Sequence, residues 1–251
     1  MINLNRRRRQ TILSAGLLGL LGISLAAPAL AGVFSVTPVR IYMVPKDRAT
    51  AVTITNEGNE PLVMQADLYE WKQKPDGQDE LTLTEDLFLS PPIIKLAPNS
   101  RQVVRLAMMH PPIQGRQLTY RMIVREIPEA RPADKTVQVQ IALAFSLPVF
   151  ITPPGAKAKL DCTVERVAAD TVKAVCENTG TAYAHPAALL LNSSTGDRIV
   201  GEDIGGGYIL PDIKRSFDLK RKEGKIPAGK ARLVVSLADG TEQSYDVNVA
   251  E

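Results

Sequence analysis

The sequence predicts an all-β protein of two antiparallel β-sandwich domains, and three observations carry that prediction. From Gly32 onward nearly every segment is a run of five to ten residues rich in Val, Ile, Leu and Thr. Each run is ended by turn chemistry: Asn56-Glu57-Gly58-Asn59, Pro75-Asp76-Gly77, Pro98-Asn99, Pro111-Pro112, Asn178-Thr179-Gly180, Ser194-Thr195-Gly196 and Asp239-Gly240. No long stretch of apolar residues recurs at the helical period of 3.6, and short strands at such regular spacing mark antiparallel sandwiches.

The first segment is not part of that pattern. Arg6 to Arg9 precede the apolar run "TILSAGLLGLLGISLAAPALA", which ends in Ala29-Leu30-Ala31. A basic stretch, a short apolar core and a small-residue site read as a secretory signal peptide, residues 1–31, cleaved after Ala31. Removing it takes away four arginines and no acids, leaving 26 basic against 27 acidic residues in a mature chain of 220. A nearly neutral chain gives no general attraction to nucleic acid or anionic membranes, and no membrane insertion of the mature chain is expected.

Two sandwiches of about 100 residues suit this length better than one oversized sheet stack. The boundary falls at Thr152-Pro153-Pro154-Gly155, giving domains at 32–152 and 153–251, joined by a short stiff proline pair. Aromatic residues are only 5% of the chain, with Trp71 the one tryptophan, so cores of branched aliphatics are expected rather than an aromatic-lined pocket. In the second domain, Cys162 and Cys176 each lie seven positions from Ala169 in "LDCTVERVAADTVKAVCENTG". A hairpin folded about Ala169 sets them opposite one another, so they form a disulfide in an oxidising compartment, stabilising by ~3 kcal/mol for such a loop. The last hairpin, "ARLVVSLADGTEQSYDVNVA", carries Asp239-Gly240 where a tight two-residue turn favours it.

One segment stands apart. From Val137 the odd positions are Val137, Val139, Ile141, Leu143, Phe145, Leu147, Val149 and Ile151, and no charge occurs between Lys135 and Lys157. Unbroken period-two alternation is strand, and the glutamines with Pro148 and Pro153-Pro154 argue against a membrane helix. A run of roughly fifteen residues, ~50 Å, exceeds the usual sandwich strand of about five or six. Periodicity alone fits a long central strand covered by its own two sheets; the excess length also allows part of it to pack in its own domain while another part lies along an exposed edge. Such an edge invites pairing unless a partner covers it, and it can donate a strand to an incomplete fold.

The chain resembles the periplasmic chaperones of the chaperone–usher pilus pathway over its whole mature length. The resemblance is carried by "SVTPVRIYM", "LSPPIIKLAPNSRQVVRL", "YRMIVREIP" and "VQIALAFSLPVF". From Lys157 on, only the general strand pattern matches. The resemblance implies an L-shaped pair of immunoglobulin-like domains, a periplasmic location, pilus or fimbrial subunits as guests, and an outer-membrane usher as the acceptor. Strand addition is a known mode of such chaperone–pilin pairs. It implies Val139, Ile141 and Leu143 as donated residues, with Val137 and Phe145 at the ends. The family grips the guest's terminal carboxylate with an arginine and a lysine in the interdomain cleft. Arg40 matches the arginine, and its planar guanidinium suits a carboxylate. The lysine's place is taken by Pro148, which leaves a single charge or a different register to do its work and points to an archaic or spore-coat-like branch. Gln117 stands near a place where the resemblance would put an acid, so the family's interdomain salt bridge is not carried over there.

An enzyme is poorly supplied. His110 and His185 each precede proline and read as loop residues, and the cysteines lack metal-ligand spacing. No G-x-S-x-G, phosphate-cradling glycine loop or H-E-x-x-H occurs. The segment "GEDIGGGYILP" reads as a mobile loop, and Glu202 and Asp203, adjacent on a strand, face opposite ways. No cofactor and no metal are expected. The alternative to a chaperone is a secreted structural or adhesin subunit built of immunoglobulin-like domains.

Overall fold

The computed structural model describes residues 34–110, 115–128, 142–205 and 207–251. The proposed signal peptide, Pro111 and Pro112, and Val137, Val139 and Ile141 lie outside the described residues. Described strands β1 (Phe34–Thr37), β2 (Ile41–Met43), β3 (Ala49–Asn56), β4 (Leu62–Gln73), β5 (Asp79–Leu83), β6 (Leu87–Ser90), β7 (Ile93–Leu96), β8 (Arg101–Met108), β9 (Leu118–Glu126) and β10 (Ala144–Ile151) form one pair of sheets. One sheet has the order β1-β3-β8-β6; the other runs β2-β10-β9-β4-β5, with β7 also on β4.

The reason is the period-two pattern. Val52 and Ile54, Leu62 to Leu68 at even positions, Val104 and Leu106, Tyr120 to Val124 at even positions, and Leu147, Val149 and Ile151 all point into one buried core between the sheets. The chain passes from one sheet to the other between β1 and β2, through Pro38, so a single short segment ties both layers together.

The remaining strands are β11 (Leu160–Ala168), β12 (Thr171–Asn178), β13 (Pro186–Ser193), β14 (Arg198–Asp203), β15 (Lys214–Lys220), β16 (Gly229–Leu237) and β17 (Glu242–Val249). They make a second sandwich of β11-β12-β15 against β14-β13-β16-β17, closed over its own core of Val172, Ala174, Leu189, Leu191, Leu233 and Val235. No sheet continues across the stretch from Ile151 to Leu160. The fold is therefore all-β with two sandwiches, as the strand pattern required.

Cys162 and Cys176 are register partners on β11 and β12 and are joined as a disulfide, with Cα atoms 4.1 Å apart. The hairpin is not quite symmetric about Ala169: a bulge between Arg166 and Ala168 leaves Ala169-Asp170 as its two-residue loop. The Asp239-Gly240 hairpin also forms, but Leu237 N–H donates to Thr241 C=O, so its loop is Ala238-Asp239-Gly240, three residues long. Gly240 takes φ 85°, the left-handed conformation that this longer loop needs.

Two buried asparagines, Asn56 and Asn178, end strands in corresponding Asn-x-Gly turns, each accepting the N–H of the glycine two residues on. Asn178 is fully buried and donates from Nδ2 to the carbonyls of Ala182 and Ile209, both at 2.8 Å. It thereby fixes the two loops that carry Tyr183 and Tyr208. Asn178→Ala is expected to destabilise the protein by about 3 kcal/mol, because two buried carbonyls lose their donor at about 1–3 kcal/mol each. Chemical denaturation followed by circular dichroism measures it, and a loss under about 1 kcal/mol would show that water replaces the amide.

Candidate functional site

The outer face of the sheet β2-β10-β9-β4 is where the two sandwiches meet. Even positions of β10 face away from their own core, yet Phe150 is fully buried, as is Trp71 on β4. What covers them comes from the second sandwich. Tyr183 stacks on Phe150 with ring centres 4.0 Å apart, Tyr208 meets Trp71 edge-on at 5.3 Å, and Leu210 completes the cluster. Arg121 lies over the Trp71 ring at 3.7 Å and reaches Asp79 at 3.4 Å. The cores of the two sandwiches are mainly aliphatic, as expected, but the expectation against an aromatic-lined pocket is overturned here, where aromatics converge from elements far apart in sequence. Likewise the "GEDIGGGYILP" segment is not simply a mobile loop, since it delivers Tyr208 and Leu210 to this interface.

Side-chain amides frame the cluster. Gln73 donates to the Tyr208 carbonyl at 3.1 Å and accepts from the Leu210 N–H at 3.0 Å. Gln117 accepts from the Tyr183 N–H at 2.9 Å and donates to Thr152 Oγ1 at 2.7 Å, while its own N–H donates to the Thr181 carbonyl. An ion pair joining the sandwiches does exist, one residue away from Gln117: Arg116 Nη2 lies 2.7 Å from Asp212 Oδ2. Arg125 instead pairs with Asp67 inside its own sheet, and Arg105 is exposed on β8.

Beside this joint opens a cleft of about 640 Å³, lined by Arg40, Tyr42, Lys157, Tyr183 and His185 among others. Arg40 immediately precedes β2 and is exposed, with no acidic side chain paired to it among the described residues. Partial burial works to lower its pKa, but the neighbouring oxygens of Tyr208, Tyr42 and Tyr183 outweigh that and raise it, so it stays charged. The Tyr42 and Tyr183 hydroxyls are hydrogen-bonded at 2.9 Å, and burial raises the pKa of Tyr183 well above that of a free phenol. Lys157 is the cation that the sequence reading missed. It follows the proline pair in an extended stretch without a motif, so nothing but the fold brings it to the cleft.

His185 is more than a loop residue. It stacks on Tyr208 at 4.5 Å, and its pKa is lowered, chiefly by burial and then by the charge of Arg40. The unfolded chain then takes up a proton before the folded one as pH falls. The stability contributed by the neutral ring is full above the ordinary histidine value of about 6.5 and declines as pH falls from there toward the lower folded value. A thermal-unfolding series from pH 8 to 5 should show that decline, and His185→Gln should flatten it; an unchanged slope in the variant would exclude His185 as its source.

The alternating segment is divided by the fold. The described strand begins at Ala144 and is eight residues long. Leu147, Val149 and Ile151 belong to its own core, Leu143 is partly buried against the same core, and Phe145 is 38% exposed, edge-on to Phe34 at 4.7 Å. One side of β10 is fully paired with β9, from Ala144↔Arg125 to Ile151↔Leu118. On its other side β2 covers only Val149 to Ile151. Among the described residues, therefore, the edge from Ala144 to Pro148 has no neighbouring strand, and it runs directly toward Arg40 and the cleft.

Known proteins place this arrangement. Residues 33–157 match the family model described as pili and flagellar-assembly chaperone, PapD N-terminal domain. Among solved structures, a chain of the CsuC–CsuE chaperone–tip adhesion subunit pre-assembly complex, from the archaic chaperone–usher Csu pili of Acinetobacter baumannii, is similar with TM-score 0.63 and 19% identity. That match covers 87% of this chain and all of the other. The YadV chaperone is similar with TM-score 0.58 and 17% identity over 86% of this chain and 98% of its own. The E. coli chaperone DraB gives TM-score 0.55 and 19% identity over 87% and 97%. At these identities the structures establish a shared two-sandwich fold. No curated protein is significantly similar to the chain in sequence.

Proposed function

Because the chain belongs, through residues 33–157, to the pili and flagellar-assembly chaperone family, we propose that it is a periplasmic chaperone that captures pilus or fimbrial subunits by donating a β-strand and hands them to an outer-membrane usher. On this reading residues 1–31 are the export signal, and the strand-donating and second domains span 32–152 and 153–251. The work is binding and release, with no bond made or broken. The observation that supports it best is the edge of β10 that no described strand covers, leading to the cation Arg40.

A subunit lacking its last strand exposes an apolar groove. Val137, Val139, Ile141, Leu143 and Phe145 fill that groove as alternate side chains, while edge backbone groups complete the guest's sheet. Burying four such side chains, at roughly 1.5–3 kcal/mol each before ordering costs, suffices to keep a folding intermediate soluble. Arg40 holds the guest's terminal carboxylate, and Lys157 adds a second positive charge to the same cleft. Coexpression with a candidate pilus subunit tests the reading: a one-to-one complex in the periplasmic fraction is expected. Finding the mature protein built into isolated surface fibres would instead make it a structural subunit.

A further inference from the structure

We propose that Pro148 is the stop that fixes where a guest strand ends, an inference that rests on the chaperone reading above. The backbone directions on β10 follow from its two ladders. Glu126 N–H donates to the Leu143 carbonyl at 2.9 Å, and the β9 register continues unbroken from there. In an antiparallel ladder the groups facing the partner alternate, so the odd residues turn their N–H and C=O to β9 and the even ones turn theirs to the opposite edge. The parallel pairing with β2 agrees: Thr152 N–H donates to the Met43 carbonyl at 2.9 Å, and Val149↔Ile41 is the first pair.

The outward groups are thus those of Ala144, Ser146, Pro148 and Phe150. Phe150 is taken up by β2. Ser146 and Ala144 each offer an N–H and a C=O. Pro148 has no N–H, and its ring occupies the place of one. The register gives its carbonyl to Ile41 N–H, so the chain's own ladder with β2 closes at Pro148 and leaves the sheet edge at Arg40.

A guest on the open edge in line with β2 meets this junction end-on. Charge decides its direction. The end arriving at Arg40 must be a carboxylate rather than an ammonium group, so the guest runs parallel to β10 with its C-terminus toward the cleft. In that orientation its last residue stands opposite Leu147 and donates its N–H to the Ser146 carbonyl. The next bond of the ladder would join its C=O to the missing N–H of Pro148. A strand that continued would leave a carbonyl without a partner there and collide with the start of β2. A strand that ends there loses nothing, because its terminal oxygens turn to Arg40. The proline thereby replaces a second strand-borne cation as the element that sets the guest's register.

The test uses a subunit first shown to form the one-to-one complex with the wild-type chain, so failure of that complex counts against the proposed function and not against the stop. Ser146 is exposed, and Ser146→Cys is combined with single cysteines at each of the subunit's last four residues. Disulfide yield should peak at the penultimate residue, at least tenfold above the fourth-from-last, which shares its face. Pro148→Ala, which returns the donor, should collapse that preference below about threefold. A peak two or more residues further from the terminus overturns the proposal, and so does an undiminished preference in Pro148→Ala.

Discussion

The double substitution Ile141→Glu with Leu143→Glu is expected to abolish capture of a subunit, lowering affinity at least a thousandfold. Two carboxylates would have to enter a guest's apolar groove, and burying an unpaired charge costs several kcal/mol, where about 4 kcal/mol already gives that factor. Leu143 also packs partly against its own core, so the variant's thermal unfolding must be measured alongside. A fall of a few degrees with complete loss of binding fits strand donation. Undiminished binding by a folded variant would defeat it, because the proposed contact would then carry no energy.

Arg40→Ala is expected to weaken the same complex by about a hundredfold. Truncating one partner of a hydrogen-bonded charge pair costs about 2–5 kcal/mol, much of it from stranding the other charge. Arg40 is exposed and outside the core, so folding stability should stay within about 0.5 kcal/mol of wild type. Arg40→Lys should recover only part of the loss, since an ammonium group lacks the two-pronged fit to a carboxylate. Lys157→Ala, at the cleft rim, should cost no more than about tenfold. Titration of each variant with a subunit carrying a free or an amidated C-terminus separates the charge contact from everything else. In wild type amidation should mimic Arg40→Ala, and in Arg40→Ala it should add little. Equal sensitivity to amidation in both proteins would remove Arg40 from the contact.

Much of the fold was readable in the residues because period-two alternation and turn chemistry are local. Asn56 and Asn178 end strands where their Asn-x-Gly turns said they would, and the cysteines pair because strand register is simple arithmetic. Loop details escaped for an equally local reason: a one-residue bulge near Ala168 and the extra residue Ala238 change a turn without disturbing the alternation on either side. The joint escaped for a different one. Phe150 occupies a position that alternation assigns to the outside of its sandwich, and only a second body covering that face buries it. Tyr42, Tyr183 and Tyr208 come from three segments that no spacing rule connects, and Lys157 has no motif around it. Arg40 was singled out through resemblance to a family, since a lone arginine before a short strand carries no signal of its own.

The joint around Phe150 has a further consequence. Its stacked rings, the two-way grip of Gln73 and the Arg116–Asp212 pair fasten the modules together at one corner. The same corner sets the Tyr42–Tyr183 pair beside Arg40, so on the proposed reading whatever loosens the joint also unsettles the seat of a guest's tail.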